Sequence, residues 1–294
     1  MKHAYLIMAH GNWKIFEKLL RLLDDEKNDI YLHIDAKSSM PEMCKNITRK
    51  SNLTIIKSRE VYWGDFSIVE VTLDLLQTAK KTGQYSYFHL LSGTDLPLKS
   101  NNEIYEFFEN SKKNFVGIVP TEVYYSVRRV KYYHPLTHCR QYRNLKVLKG
   151  LDRILEYAQK LIGINRLKNN PWKIIDGWEW FSITKEFCQY IINQKETIIN
   201  MFSSSIASDE LFVQTLAYNS KFYDSLYDVT DLRRGSMRFI DWKRGTPYTW
   251  GAEPSDYEEL INSPYMFARK FDEKYLDIVE QIFEEVNKRN ENDQ

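Results

Sequence analysis

The chain has 294 residues, enough to bury one sizeable core, and its 41 Lys and Arg nearly balance its 40 Asp and Glu. This balance gives no overall field that would attract nucleic acid, so any anion must be bound by a local cluster of cations. Three widely spaced cysteines indicate neither a disulfide framework nor a zinc site, and no run of about 18 apolar residues is present to span a bilayer.

About the first 120 residues alternate between short apolar runs and amphipathic helical patterns. Strands are predicted at residues 4–9, 29–34, 53–57, 88–91 and 114–119. Helices are predicted at residues 13–23, 67–81 and 102–110. The alternation predicts an α/β fold with a mostly parallel central sheet flanked by helices.

Polar residues stand where three of these strands end. His10 follows the first strand, Asp35 follows the second, and Asp95 lies in the turn after the fourth. The carboxyl ends of parallel strands share one edge of the sheet, where ligands bind. An acid there can contact a sugar or a metal ion. Asp95 can instead cap the backbone of its own turn, and His10 can be structural, so both alternatives stay open at this point.

The second half of the sequence is less regular. Residues 124–149 are dense in Arg, Lys, Tyr and His without clear periodicity, and we expect an exposed excursion over the same edge. A further strand is predicted at residues 175–184, with Trp178 and Trp180 on one face. Helices are predicted from Lys185, after Ser208, and at residues 272–287. No internal repeat or linker interrupts the chain, which predicts a single domain over residues 1–294.

Two groups of charged residues are candidates for chemistry. Asp209 and Glu210 follow Ser208 at a predicted helix start, where acids stabilise the helix dipole, and where a fixed Glu can also serve as a general base. Segments 238–247 and 267–271 place cations beside aromatic residues. They are either solvated surface charge or a site that neutralises a diphosphate, and Gly245 would let backbone approach phosphate closely.

Several metal and nucleotide motifs are absent from the sequence. No two Asp residues stand two positions apart, and there is no helical His pair, Cys-x-x-Cys, Walker-type glycine loop or Gly-x-Ser-x-Gly elbow. A transferase that releases a diphosphate would therefore have to stabilise it with Arg and Lys.

Seven short segments are distinctive in combination. They read Ala-Tyr-Leu-Ile-Met-Ala-His at 4–10, His-Ile-Asp-Ala-Lys-Ser at 33–38, Val-Tyr-Trp-Gly-Asp-Phe-Ser at 61–67, Leu-Ser-Gly-Thr-Asp-Leu-Pro-Leu-Lys at 91–99, Ser-Asp-Glu at 208–210, Arg-Phe-Ile-Asp-Trp at 238–242 and Phe-Ala-Arg-Lys-Phe at 267–271. In this order they resemble the core-2/I-branching glycosyltransferases, which include β-1,6-N-acetylglucosaminyltransferases and peptide O-xylosyltransferases.

The resemblance implies a single GT-A-type, Rossmann-like domain, a UDP-sugar donor, inversion at the anomeric carbon, and no metal ion or other cofactor. In the family the Glu of a Ser-Pro-Asp-Glu segment is the catalytic base. Glu210 matches it, although Ala207 and Ser208 replace the Ser-Pro pair. About residues 1–120 would bind the nucleotide sugar, and about residues 121–294 would form the acceptor-binding and catalytic half.

The resemblance also assigns binding residues. On the donor side it places His10, Asp35, Trp63, Gly64, Asp95 and Lys270, with Arg238 or Arg244 as the arginine against the diphosphate. On the acceptor side it places Trp178 and Trp180, although the family's Gly-Ser-x-Trp pattern reads Gly-Trp-Glu-Trp here.

UDP-GlcNAc is the first expected donor and UDP-xylose the alternative, with a glycan or a lipid-linked oligosaccharide as acceptor. Animal members carry a signal anchor, a stem and disulfides, which this sequence does not show. We therefore expect a bacterial, cytoplasmic form in polysaccharide biosynthesis, with peripheral contact to the inner membrane face. A catalytically inactive carbohydrate-binding protein on the same fold and a nucleotide-sugar hydrolase are the open alternatives.

Overall fold

A six-stranded sheet forms the centre of the computed structural model, which describes residues 1–293. The strands in these residues are β1 (Lys2–Ala9), β2 (Asn28–Ile34), β3 (Asn52–Ile55), β4 (Tyr85–Ser92), β5 (Leu96–Pro97), β6 (Phe115–Val119), β7 (Asp176–Thr184), β8 (Arg238–Ile240) and β9 (Phe267–Arg269). The sheet order is β3-β2-β1-β4-β7-β6. β1 to β4 are parallel, whereas β7 runs antiparallel to both β4 and β6. The predicted α/β fold with a mostly parallel sheet is confirmed.

Helices cover both faces of this sheet. Within residues 1–293 they are α1 (Trp13–Leu23), α2 (Ser67–Thr82), α3 (Asn101–Ser111), α4 (Tyr124–Lys131), α5 (Lys146–Leu161), α6 (Lys185–Asn193), α7 (Lys195–Phe202), α8 (Phe212–Tyr218), α9 (Leu232–Ser236), α10 (Asp256–Ile261) and α11 (Leu276–Asn292). One core packs α2, α6, α7 and α8 on the sheet, and the other packs α1, α3 and α11. None of the helices in this part of the chain is long and apolar enough to cross a membrane.

The helix α1 shows how the sequence produces this packing. Phe16, Leu19, Leu20 and Leu23 recur at helical spacing, and all four are buried against the sheet. The helix spans the predicted residues. α3 begins with a capping box, in which the Ser100 hydroxyl accepts from the backbone N–H of Glu103 and the Glu103 carboxylate accepts from the backbone N–H of Ser100. Local sequence therefore sets where α3 starts.

A second, three-stranded sheet with the order β5-β9-β8 was not predicted. Its strands have two or three residues, too few to show a periodic pattern. β5 pairs with β9 through Leu96 and Ala268, and the N–H of Phe271 donates to the carbonyl of Thr94 at 3.0 Å. This sheet therefore brings residues 267–271 against the turn that follows β4.

The excursion at residues 124–149 contains more structure than predicted, since it includes α4, a short 3₁₀ turn at Pro135–His138 and the start of α5. A buried pair fixes it, because Nδ1 of His134 lies 2.8 Å from a carboxylate oxygen of Asp152. The Tyr142 hydroxyl donates to the same carboxylate oxygen at 3.1 Å. The segment therefore has a defined conformation that buried side-chain contacts hold in place.

Candidate active site

The carboxyl ends of three parallel strands meet at one edge, as predicted. Ala9 at the end of β1 is in register with Ile34 of β2, and Met8 is in register with Ser92 of β4. The residues that follow these strands, among them His10, Asp35 and Asp95, are thereby brought together at this edge.

Asp95 holds its own turn and a neighbouring arginine. One carboxylate oxygen accepts from the N–H of Ser92 at 2.9 Å, and the other accepts from the Ser92 hydroxyl at 2.6 Å and from Arg269 at 2.8 Å. The side chain is 1% exposed. With both oxygens occupied and almost no exposure, Asp95 cannot contact a sugar directly in this conformation. The predicted donor contact is replaced by a positioning role toward Arg269.

Asp35 and His10 differ in exposure. Asp35 is buried, and its carboxylate accepts from the backbone N–H of Lys37 at 2.9 Å and from its Nζ at 2.8 Å. His10 is exposed, and its carbonyl accepts from the hydroxyl of Ser38 at 2.8 Å. These contacts tie the ends of β1 and β2 together, and they leave the His10 ring accessible from solvent.

The predicted helix start at Ser208 is a 3₁₀ turn, Ser208–Glu210, and the α-helix α8 begins only at Phe212. The residue before the turn, Ala207, has φ 49°, in the left-handed region that non-glycine residues rarely adopt. Its N–H donates to the carbonyl of Gly64 at 2.7 Å. This contact joins the acidic turn to the predicted donor segment at Trp63 and Gly64.

Arg129 of α4 fixes Glu210 in this turn. Its guanidinium lies 2.8 Å from Oε2 of Glu210 and 3.3 Å from Asp176, and it donates to the carbonyl of Ile206 at 3.0 Å. Arg129 is buried, whereas the Glu210 side chain is 43% exposed. Within residues 1–293 the other oxygen, Oε1, makes no hydrogen bond. Glu210 therefore presents one tethered and one open carboxylate oxygen.

Three carboxyl groups cluster here, and their pKa values are raised. Burial raises the pKa of Asp209 to about 7, and repulsion from Glu210 adds to the shift. Partial desolvation also raises the pKa of Glu210, although Arg129 opposes the change. The pKa of Glu179 on β7 is raised well above its usual value by burial and then by repulsion from Asp209. Such mutually perturbed carboxyls are typical of catalytic sites.

Arg269 lies close enough to Glu179 for its charge to oppose the rise in the Glu179 pKa, and Lys270 follows Arg269 in the chain. The guanidinium of Arg269 stacks over the ring of Trp180 at 4.3 Å while it pairs with Asp95. Lys270 is partly buried and forms no ion pair within residues 1–293. Burial lowers the pKa of Lys270, and the neighbouring charge of Arg269 lowers it further. A partly buried cation without a carboxylate partner is suited to binding an anionic ligand.

The two arginines predicted against the diphosphate differ in accessibility. Arg238 is 1% exposed, and its guanidinium donates to the carbonyl of Phe181 at 3.0 Å and to the Ser182 hydroxyl at 2.9 Å. Burial lowers its pKa to about 9. Arg244 forms ion pairs with three acids, Asp241, Asp256 and Glu259. The phosphate role predicted for Arg238 is therefore corrected, because its side chain is buried, whereas Arg244 is 32% exposed and its phosphate role stays a prediction.

Side chains of the segment at residues 124–149 lie beside the predicted donor residue Trp63. Trp63 is 48% exposed, and Arg143 and Lys149 lie 5.7 Å and 5.6 Å from the centre of its ring. Nδ1 of His138 lies 2.5 Å from Asp65, and the charge of Arg143 contributes to lowering the pKa of Lys270. Gly64 has φ 77°, which favours glycine. The excursion thus adds cations on the side of Trp63 and Lys270.

The two tryptophans of β7 lie on one face, as predicted, and both pack against the same core. Trp180 is 6% exposed beneath Arg269, so little of its ring is left for an acceptor. Trp178 is partly exposed, and its carbonyl accepts from Gln214 at 2.6 Å. Of the two predicted acceptor residues, Trp178 is the more accessible.

Three site residues were missed by sequence reasoning: Arg129, Glu179 and Arg269. Arg129 lies 81 positions from Glu210, so no local pattern connects them. Glu179 stands between two tryptophans in a strand. Side chains alternate between the two faces of a strand, so a polar residue at this position is expected without any functional role. Arg269 could have been predicted, since it stands next to Lys270 in the segment at residues 267–271. Across residues 1–293, no three His, Cys, Asp or Glu side chains are arranged to hold a metal ion.

The chain is similar to known glycosyltransferases over most of its length. A family model, Branch: Core-2/I-Branching enzyme, matches residues 3–263. Xylosyltransferase 2 of Rattus norvegicus is 25% identical over 92% of this chain and 32% of its own length. The Homo sapiens N-acetyllactosaminide beta-1,6-N-acetylglucosaminyl-transferase is 24% identical over 92% of this chain and 68% of its own. Xylosyltransferase sqv-6 of Caenorhabditis elegans is 23% identical over 92% of this chain and 35% of its own length. The chain thus spans about a third of the xylosyltransferases that it matches.

Proposed function

Because the chain belongs to the core-2/I-branching enzyme family and is a glycosyltransferase, we propose that it moves a sugar from a UDP-sugar to a glycan hydroxyl with inversion. The observation that carries this proposal is the arrangement around Glu210. Its carboxylate is tethered by Arg129 and open at Oε1, in a cluster of carboxyls that Arg269 approaches, and Lys270 stands next to Arg269 in the chain.

Glu210 acts as the general base. Its open oxygen takes the proton of the acceptor hydroxyl while that hydroxyl oxygen forms a bond to the anomeric carbon. The bond between the anomeric carbon and the diphosphate oxygen breaks, and its electron pair leaves with UDP. Attack opposite the leaving group inverts the anomeric configuration.

Lys270 stabilises the charge that develops on the leaving diphosphate. Arg269 assists from its fixed position between Asp95 and Trp180, and Arg143 adds positive potential. Fixed cations in a partly desolvated site are effective because they need no reorganisation as the charge develops. The proposal includes metal independence, since these side chains supply the neutralising charge.

UDP-GlcNAc is the first proposed donor and UDP-xylose the second. Relatives named for each transfer match this chain at nearly equal identity, 24% and 25%. We propose a glycan or lipid-linked oligosaccharide as the acceptor and a cytoplasmic location. The exposed free thiol of Cys139 fits a reducing compartment.

The test is a panel of UDP-sugars measured by thermal shift and by product formation on oligosaccharide acceptors, with and without EDTA. The proposed donor raises the melting temperature, because a ligand that binds only the native state stabilises it. Transfer continues in EDTA, and NMR shows an inverted anomeric centre. Loss of transfer in EDTA with recovery in Mn²⁺ would overturn metal independence.

Two further outcomes separate the alternatives. Release of free sugar at the full rate without an acceptor would identify a nucleotide-sugar hydrolase. Glycan binding without transfer from any UDP-sugar would identify a carbohydrate-binding protein that has lost catalysis.

A further inference from the structure

The helix α5 turns an apolar face to solvent. Val147, Leu151, Ile154 and Leu161 recur at helical spacing and are 71%, 46%, 65% and 70% exposed. Ile162, directly after the helix, is 75% exposed. An amphipathic helix normally buries this stripe against the core, and a contiguous exposed apolar patch marks an interaction site. The apolar side of α5 is therefore available for a partner outside the chain.

Positive charge lines this apolar face. Lys146, Lys149, Arg153 and Lys160 also recur at helical spacing, on the side that adjoins the apolar stripe. The two acids of the helix are engaged with the protein, because Asp152 is buried against His134 and Glu156 pairs with Arg128 at 2.6 Å. The charge that α5 presents outward is therefore positive, in a chain whose formal net charge is only +1.

We propose that α5 is a membrane-docking helix that lies in the surface of an anionic phospholipid bilayer. An apolar stripe beside a row of Lys and Arg on one helix is the pattern of helices that lie in the membrane interface. The apolar side chains enter the boundary between headgroups and acyl chains, and the cations meet the anionic headgroups. Exposed Tyr124, Tyr125 and Tyr157 supply aromatic rings of the kind enriched at that interface.

The position of α5 gives this docking a consequence for the active site. Arg128 of α4 pairs with Glu156 of α5, and the next residue, Arg129, pairs with Glu210. Lys149 of α5 also lies over Trp63. A docked α5 would hold the Glu210 site close to the bilayer surface, where a membrane-embedded acceptor can reach it. This consequence rests on the proposed function, whereas membrane binding itself does not.

Vesicle flotation of the full chain tests the proposal without donor or acceptor. We expect the protein to float with phosphatidylcholine vesicles that contain about a third phosphatidylglycerol, and to float much less with phosphatidylcholine alone or at high salt. The apolar variant Ile154→Gln/Leu161→Gln should weaken the partition coefficient by about tenfold or more. The charge variant Lys146→Gln/Arg153→Gln/Lys160→Gln should lose the preference for anionic vesicles.

The matched control is Met43→Gln/Ile55→Gln, which changes two apolar residues, 59% and 42% exposed, away from α5. It should bind vesicles like the unmodified chain. All variants should keep the unmodified melting temperature, since the changed side chains are exposed. Failure of the unmodified chain to bind anionic vesicles, or binding of the apolar variant at full strength, would overturn the proposal. So would sedimentation showing a dimer that the apolar variant abolishes, together with absent vesicle binding, because the occupant would then be a second copy.

Discussion

The guanidinium of Arg129 lies 2.8 Å from Oε2 of Glu210, and the same buried side chain donates to the carbonyl of Ile206. One residue thus fixes both the carboxylate and the backbone that leads into its turn. The positive charge opposes the rise in the Glu210 pKa that burial causes. Arg129 therefore favours the ionised form of Glu210 and holds the carboxylate in place without covering its second oxygen.

Replacing Glu210 with Gln should abolish transfer while leaving donor binding intact. The amide has nearly the shape of the carboxylate but cannot accept the acceptor proton, so we expect kcat to fall by about 10²-fold to 10⁴-fold. The dissociation constant for UDP should change little. Steady-state transfer assays and calorimetric UDP titration measure the two quantities separately.

The control for this change is Glu258→Gln, an exposed acid in α10. It should leave both kcat and UDP affinity at the unmodified values. Turnover close to normal in Glu210→Gln would remove Glu210 as the base and direct attention to Asp209 or Glu179.

Replacing Glu179 with Gln should alter the pH profile. The pKa of Glu179 is raised well above its usual value by burial, so the carboxyl keeps its proton to a higher pH than an exposed Glu and loses it as the pH rises further. The new charge would then stand close to Asp209 and Glu210, so kcat/KM of the unmodified chain should fall as Glu179 loses its proton. Gln mimics the protonated form, so kcat/KM of the variant should fall less over the same rise in pH. Loss of activity at every pH would instead show that the ionised carboxylate is required.

Lys270→Ala should weaken UDP binding by about tenfold or more, since a charge-assisted contact to phosphate contributes about 1.5–3 kcal/mol. Lys243→Ala is the matched control, because Lys243 is an exposed cation on the neighbouring segment. Titration of each variant with UDP and with uridine separates the diphosphate contribution from the nucleoside contribution. Equal UDP affinities for the two variants would contradict the phosphate role of Lys270.

The main sheet and its helices could be predicted because each element carries its own periodic signal. α1 has four buried residues at helical spacing, and its predicted limits match the structure. The small sheet could not be predicted, because β8 and β9 have three residues each and form only through contacts between distant segments. The start of α8 was also misplaced, since acids after Ser208 suit a 3₁₀ turn as well as a helix.

The site was predictable only where a motif marked it. Glu210 stands in a short acidic segment, whereas its partner Arg129 lies in an excursion without periodicity and meets it only after folding. Arg238 was wrongly placed at the diphosphate, because sequence shows that a cation stands beside aromatics but not that it is buried. Burial depends on the packing of the whole chain, so local sequence patterns could not predict which candidate side chains are accessible to a ligand.

Asp209→Asn should change how stability depends on pH. The folded pKa of Asp209 is raised to about 7, above the value of about 4 for an unfolded chain. An acid whose pKa is higher in the folded than in the unfolded chain favours folding while it is protonated. Its contribution to the free energy of unfolding is therefore complete below about pH 4 and is lost as the pH rises to about 7. Asn does not ionise, so the variant should not lose this stability as the pH rises.

The melting temperature of Asp209→Asn should therefore rise relative to the unmodified chain between about pH 4 and pH 7, and the difference should level off at higher pH. Asp277→Asn, at an exposed acid of α11, is the control and should show a nearly constant difference. Because Glu210 is among the causes of the Asp209 shift, Glu210→Gln should also reduce the pH dependence of stability. A constant difference for Asp209→Asn across this range would show that its carboxyl is not the buried acid that repels Glu210.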